Sequence, residues 1–308
     1  MKYLLILVFT FSGFLLKAQS SISEYKKVMM YGDNANLVDE LENDIPKSSK
    51  KNPDAIAIVI GNKIYQNGIS NVEFAHADAR IMAKYLEEVF GFSRENIILL
   101  EDATLSRFKL LFGDKDNYKG QVYDRIKTDI SDVFVFYSGH GAPDPIDQNA
   151  YLMPSDADPN HLPLTGYKLE TLYSNISSLP VKKVIFVIDA CFSGKISNGE
   201  DIIKYASPVG IKVKKPVLIN FEKRAIITAS SSNQIASWYP QKKHGLLTYY
   251  FLKGLQGNAD LNKDKKIDIM EMRNWLGDNV NGVPAIARRN FSREQNPEVE
   301  GNDDFIIK

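Results

Sequence analysis

The run Val184-Ile185-Phe186-Val187-Ile188 breaks off into Asp189-Ala190-Cys191-Phe192-Ser193-Gly194, and this junction constrains the chain more than any other stretch. Five consecutive β-branched or aromatic residues suit a strand buried on both faces, the habit of parallel sheets. The small, polar, glycine-ended segment then falls at the strand's carboxyl end. In open α/β sheets that edge is where ligands bind. Cys191 stands just past the run rather than inside it, where a thiol that merely filled core would sit.

Similar apolar runs recur at 55–61, 96–100, 132–137 and 225–230, and residues 305–307 read as a last short strand. Helical spacing separates the runs. Phe74, Ala77, Ile81, Tyr85 and Val89 share one face of a helix over 72–90, with Gly91 as its C-terminal cap. Further helices are expected over 104–112, with Thr104 as N-cap, and over 122–130, 169–178, 245–255 and 270–280. A Pro/Asp-rich loop covers 142–163, and a Lys-rich irregular stretch covers 195–223. Strands alternating with helices predict an α/β fold with a largely parallel sheet and helices on both faces.

The remaining composition excludes some function classes. Lys plus Arg and Asp plus Glu both number 38, so no net charge draws the chain to nucleic acid. A single cysteine excludes an internal disulfide framework and a cysteine-based zinc site. Lys2, an apolar stretch from Tyr3 to Leu16 and a small residue at Ala18 have the layout of a secretory signal peptide over 1–18. No later stretch is apolar enough to span a bilayer, so the expected location is outside the cytoplasm, periplasmic or secreted. There a lone thiol has no internal partner and is exposed to oxidation, which favours a chemical role for Cys191. Residues 19–53 read as a pro-segment or linker, with a short helix within 24–43.

A second junction matches the first. The apolar run ending at Tyr137 gives way to Ser138-Gly139-His140-Gly141, and a helix lies between it and Cys191, as a crossover between parallel strands needs. His140 and Cys191 are thereby expected above one sheet edge. A Cys–His pair is a nucleophile with its base. His76, His161 and His244 read as surface or satisfied core histidines.

Tyr137-Ser138-Gly139-His140-Gly141 with Asp189-Ala190-Cys191-Phe192-Ser193-Gly194 resembles the caspase-like cysteine peptidases, the metacaspase and paracaspase branch most closely. The likeness runs from about residue 54 to 255. It includes Ile60-Gly61-Asn62, Ala77-Asp78-Ala79, Ala150-Tyr151-Leu152-Met153-Pro154, Thr228-Ala229-Ser230 and Leu247 to Leu252. It implies a peptidase domain over 54–256 built as a three-layer sandwich, with a mostly parallel six-stranded sheet. It also implies Cys191 as nucleophile, His140 as base, and the N–H groups of Gly141 and Cys191 as an oxyanion hole. The chemistry then needs no cofactor.

The caspase signature has Gln-Ala before the cysteine, where this chain has Asp189-Ala190. A carboxylate two residues from the nucleophile favours Arg or Lys in the substrate, not Asp. In the metacaspase branch this acid and one early in the first helix line the specificity pocket, and Asp189 and Asp78 match those places. Gln234 is a third candidate for that pocket. The expected substrates are proteins or peptides with Arg or Lys before the scissile bond. The 195–224 stretch lies where such peptidases join their two halves, and its Lys204, Lys212, Lys214, Lys215, Lys223 and Arg224 are candidate self-processing sites. The rival expectation is a caspase-fold scaffold or calcium-responsive interaction protein without proteolytic activity.

Beyond it, residues 257–308 read as a C-terminal extension. Its segment 260–271 has the spacing of an EF-hand loop: Asp260, Asn262, Asp264, the Lys266 carbonyl, Asp268 and a bidentate Glu271 are the candidate Ca2+ ligands. Lys265 stands at the sixth position, where the sharp turn favours glycine.

Overall fold

A computed structural model describes residues 40–144, 148–193, 223–231 and 234–308. The signal peptide, most of the pro-segment and most of the 195–224 stretch lie outside the described residues.

In chain order, α1 (Glu40–Asn43) is a single turn, and β1 (Ile56–Gly61) leads to α2 (Ala75–Glu88). Then come β2 (Ile97–Glu101), α3 (Leu105–Phe112), α4 (Gln121–Arg125) and β3 (Asp132–Ser138). A small antiparallel sheet follows, made of β4 (Gly141–Pro143), β5 (Ala150–Leu152) and β6 (Tyr167–Lys168), with α5 (Leu162–Thr165) before its last strand. The helix α6 (Leu169–Ser177) returns the chain to β7 (Lys183–Asp189). After β8 (Arg224–Thr228) the pair β9 (Trp238–Tyr239) and β10 (His244–Gly245) leads into α7 (Leu246–Lys253). Then α8 (Ile269–Gly277), α9 (Val283–Phe291) and β11 (Glu298–Glu300) follow.

The central sheet has six strands in the order β11-β8-β7-β3-β1-β2. All neighbours run parallel except β11, which is antiparallel to β8 at one edge. The apolar runs are unbroken because both faces are covered. Ala57, Val59, Phe134, Phe136, Ile185 and Val187 face the core under α2 and α7. Their neighbours Ile58, Val135, Tyr137, Phe186 and Ile188 face the opposite core with Phe108, Phe112 and Leu172. The expected α/β sandwich is therefore present, with an antiparallel edge strand added.

Several elements depart from expectation. The 142–163 stretch is not one loop. It carries β4 and β5, held by the pairing of Ala142 with Tyr151. The helix expected over 122–130 ends at Arg125, and Asp129 turns through the left-handed region at φ 55°. Thr104 precedes α3 but makes no capping bond; the Asp156 carboxylate accepts the Leu105 N–H instead. Residues 305–307 form one bridge, Ile306 with Asp268, and the edge of the sheet is taken by Glu298-Val299-Glu300. Residues 257–308 thus contribute a strand to the central sheet and Ile269, Met272, Val283 and Val299 to its core, rather than trailing after it.

Gly61 ends β1 directly beneath α2. A methyl group there would lie 2.8 Å from Ala79 Cβ and press on the Ala75 carbonyl as well. Gly61→Ala is expected to destabilise the protein by about 1–3 kcal/mol, since neither strand nor helix can yield without moving the other. Urea denaturation checks this; unchanged stability would contradict so close a seat.

Candidate active site

The register of the sheet decides what meets at its carboxyl edge. Gly61 pairs with Ser138, and Ser138 pairs with Asp189. His140 lies two residues beyond Ser138, and Cys191 two residues beyond Asp189. Adjacent strands lie about 4.8 Å apart, so equal overshoot delivers both residues to one level on neighbouring strands. They line a common cavity with Asp78, Ser138, Asp189 and Trp238.

His140 is fixed from three sides. Its Nε2–H donates to the Ser70 carbonyl at 2.7 Å, which leaves Nδ1 as the unprotonated nitrogen. Its backbone N–H donates to the Tyr65 hydroxyl at 2.8 Å, and the Tyr65 ring packs on the imidazole with centroids 4.8 Å apart. The Tyr137 hydroxyl sits between the carbonyls of His140, at 2.7 Å, and Met153, at 3.0 Å. Burial pushes the imidazole down to about 4, against the opposing effect of the Ser70 hydrogen bond. At neutral pH the ring is therefore uncharged and able to take a proton.

Cys191 is buried and unpaired in any disulfide. Its Sγ lies 2.9 Å from the Ser193 hydroxyl, and its S–H is directed at the Gln234 carbonyl at 3.4 Å. No hydrogen bond joins it to His140 in this conformation. Gly141 begins β4 against the Phe192 ring, where a methyl group would lie 2.7 Å from Phe192 Cδ1. Only a residue without a side chain fits between that ring and the strand. Gln234 approaches Cys191 through its backbone; its side-chain Oε1 accepts the Asn296 N–H at 2.7 Å.

The two acids expected in a specificity pocket are both buried and come together around Gly245. A methyl group on Gly245 would lie 3.1 Å from Asp78 Oδ2 and closer still to Asp189 Oδ2. Asp189 Oδ2 accepts the Thr248 N–H at 3.0 Å and its hydroxyl at 2.7 Å. Burial and the neighbouring Asp78 push the Asp189 carboxyl up to about 7, opposed by the Thr248 hydrogen bonds and by His244. Asp78 accepts the Ser138 hydroxyl at 2.9 Å, the Gly245 N–H at 3.2 Å and the His244 imidazole Nδ1 at 2.8 Å.

Tyr65, Ser70, Ser193, Thr248 and His244 escape the sequence reading. Tyr65, Ser70 and His244 reach the site from distant stretches and stand in no motif, whereas Ser193 and Thr248 lie inside stretches that carry the family likeness, which gives neither a role. His76 and His161 fit expectation, paired at the surface with Asp102 and Asp158. His244 is a satisfied buried histidine, as expected, but its partner belongs to the pocket.

The 260–271 segment forms a tight turn ahead of α8. Asp260 accepts the N–H groups of Asp264 and Lys265, Asn262 accepts that of Asp264, and Asp264 that of Lys266. Glu271 reaches back to the N–H groups of Leu261, Asn262 and Asp268, and Asp268 caps the helix in return. Lys263 and Lys265 are left-handed, at φ 63° and 66°. Among the described residues no three His, Cys, Asp or Glu side chains gather to hold a metal.

Comparison with known proteins accords with this architecture. Residues 54–304 match the family model of the caspase domain. No curated protein sequence gives a significant match. Among solved structures, caspase-1 from Spodoptera frugiperda superposes with a TM-score of 0.53 at 11% identity, over 85% of this chain and 92% of that one. That likeness is one of fold. The matched region takes in the C-terminal helices and ends four residues before Lys308. The chain belongs to the caspase-domain family of cysteine-type peptidases.

Proposed function

We propose that this protein is an exported endopeptidase that cleaves peptide bonds after Arg or Lys, with Cys191 as nucleophile and His140 as base. The observation that carries the reading is the shared register of β3 and β7, with the two side chains at one cavity and Asp189 on its wall. Export rests on the amino-terminal sequence pattern, and the basic preference on the buried acids.

The geometry supports the following chemistry. The Cys191 side chain turns from the Gln234 carbonyl toward the scissile bond, and its proton passes to His140 Nδ1 as sulfur bonds to the carbonyl carbon. Because His140 is neutral at rest, this transfer accompanies attack. The oxygen becomes negative, and the N–H groups of Gly141 and Cys191 stabilise it. Collapse breaks the C–N bond as His140 returns its proton to the leaving amine. Water then hydrolyses the thioester with His140 again as base, restoring the thiol. Asp189 holds the basic side chain that precedes the cut bond. Self-processing within 195–224 follows from the same preference. Arg224 is its poorest site, since it opens β8 and its guanidinium donates to the Ser177 carbonyl.

Calcium binding at 260–271 is a second proposal. Lysine in the left-handed region is costly, and Lys265 holds it at the position where calcium loops require it. Millimolar calcium is expected to give binding heat in calorimetry on the full chain; no heat would remove the site.

Fluorogenic peptides with Arg, Lys, Asp or Asn before the leaving group test the main proposal. Activity is expected on Arg and Lys only, with Cys191→Ala at background and free of self-cleavage fragments. Asp189→Ala should fold and lose the basic preference. Turnover by Cys191→Ala, or an Asp preference, would contradict the reading, and activity on none of the four would favour a scaffold.

The same assay across pH 6–8 reads the Asp189 charge. Its carboxyl is raised to about 7, so the charged form is lost as pH falls through that value. KM for basic substrates is expected to rise on acidification through pH 7. A flat KM would show that Asp189 does not contact the substrate.

A further inference from the structure

Two carboxylates buried against one glycine would repel each other, and a pocket cannot keep both charged without compensation. Asp78 and Asp189 are in that position. The side chain of His244 is 2% exposed and that of Asp78 1%, and their Nδ1 and Oδ1 atoms are 2.8 Å apart. Asp78 has no acceptor capacity to spare, with Ser138, Gly245 and His244 all donating to it. Asp189 differs: Thr248 occupies only its Oδ2, and among the described residues nothing donates to Oδ1.

We propose that His244 is a specificity-determining residue whose ion pair with Asp78 cancels one of the two buried acids, leaving Asp189 as the single negative group that receives the substrate side chain. This rests on the basic-specificity reading above and deepens it. His244 is positioned for the task by sequence neighbours. It pairs with Tyr239 in the β9–β10 ladder, and Gly245 beside it lets both carboxylates approach the chain. Among the described residues, the titratable groups around the pair are as follows. Asp78 comes from α2 and Asp189 from the end of β7, while His140 and Cys191 line the same cavity. In the turn before β10, Lys242 is committed to Glu40, and Lys243 is left-handed and exposed. His244 is the buried basic side chain in hydrogen-bond contact with the acid pair. Its charge also opposes the upward shift of the Asp189 carboxyl, which the Asp78 charge drives.

The test separates charge from packing. In His244→Asn the amide N–H replaces Nδ1–H toward Asp78, keeping a hydrogen bond but no charge. With the cation gone the two acids share a proton. In a folded His244→Asn protein, the pH below which KM for Arg and Lys substrates rises is expected to move up by about one unit or more. The change should lie in KM rather than kcat. An unchanged KM–pH profile would overturn the proposal. Histidine 1H–15N correlation spectra of the full-length wild type give a readout without turnover. His244 is expected as an imidazolium at pH 7, and a neutral ring there would overturn the proposal whatever the kinetics. An imidazolium His244 in an enzyme with no basic preference would instead refute the reading of Asp189, and the specificity role with it.

Discussion

The alignment of β3 with β7 is the constraint on which the site depends. Ser138 opposite Asp189 puts His140 and Cys191 at equal distances beyond the sheet. A shift of one residue would reverse the faces of Phe134, Val135, Phe136 and Tyr137, sending one core's side chains into the other. The register is therefore fixed by both hydrophobic layers at once, and the spacing of His140 and Cys191 inherits that rigidity. The antiparallel strand β11 closes the β8 edge with Glu298 and Glu300 flanking a single buried valine.

Burial does further work on charge. The same low-dielectric edge keeps His140 neutral and raises the Asp189 carboxyl to about 7. Carboxylates there need donors, and the fold supplies them from α7 and the residues just before it: the Gly245 N–H, and the N–H and hydroxyl of Thr248. The stretch His244 to Thr248 thus serves as a rack for both acids. This explains why so short a strand as β10 matters to the pocket although it adds little to the core.

The sheet was legible in the sequence because continuous apolar runs have few other uses, and the glycine-bearing turns after Tyr137 and Ile188 announced both strand ends. Asp78 and Asp189 were legible through resemblance to a known family. What stayed hidden was set by contacts between distant stretches. Tyr65 reaches His140 from the loop after β1, and Thr248 reaches Asp189 from α7. His244 looked like any buried histidine because its meaning lies in Asp78, 166 residues away. The edge strand Glu298–Glu300 carries no alternation long enough to register, and its pairing depends on β8 being in place.

In the proposed mechanism Cys191 forms a covalent bond to a carbonyl carbon beside an acidic pocket. Peptidyl chloromethyl ketones ending in Lys or in Asp test it directly, read by intact mass and peptide mapping of the full chain. One adduct, on Cys191, is expected with the Lys reagent and none with the Asp reagent at the same concentration. Modification elsewhere, or equal labelling by both reagents, would contradict it.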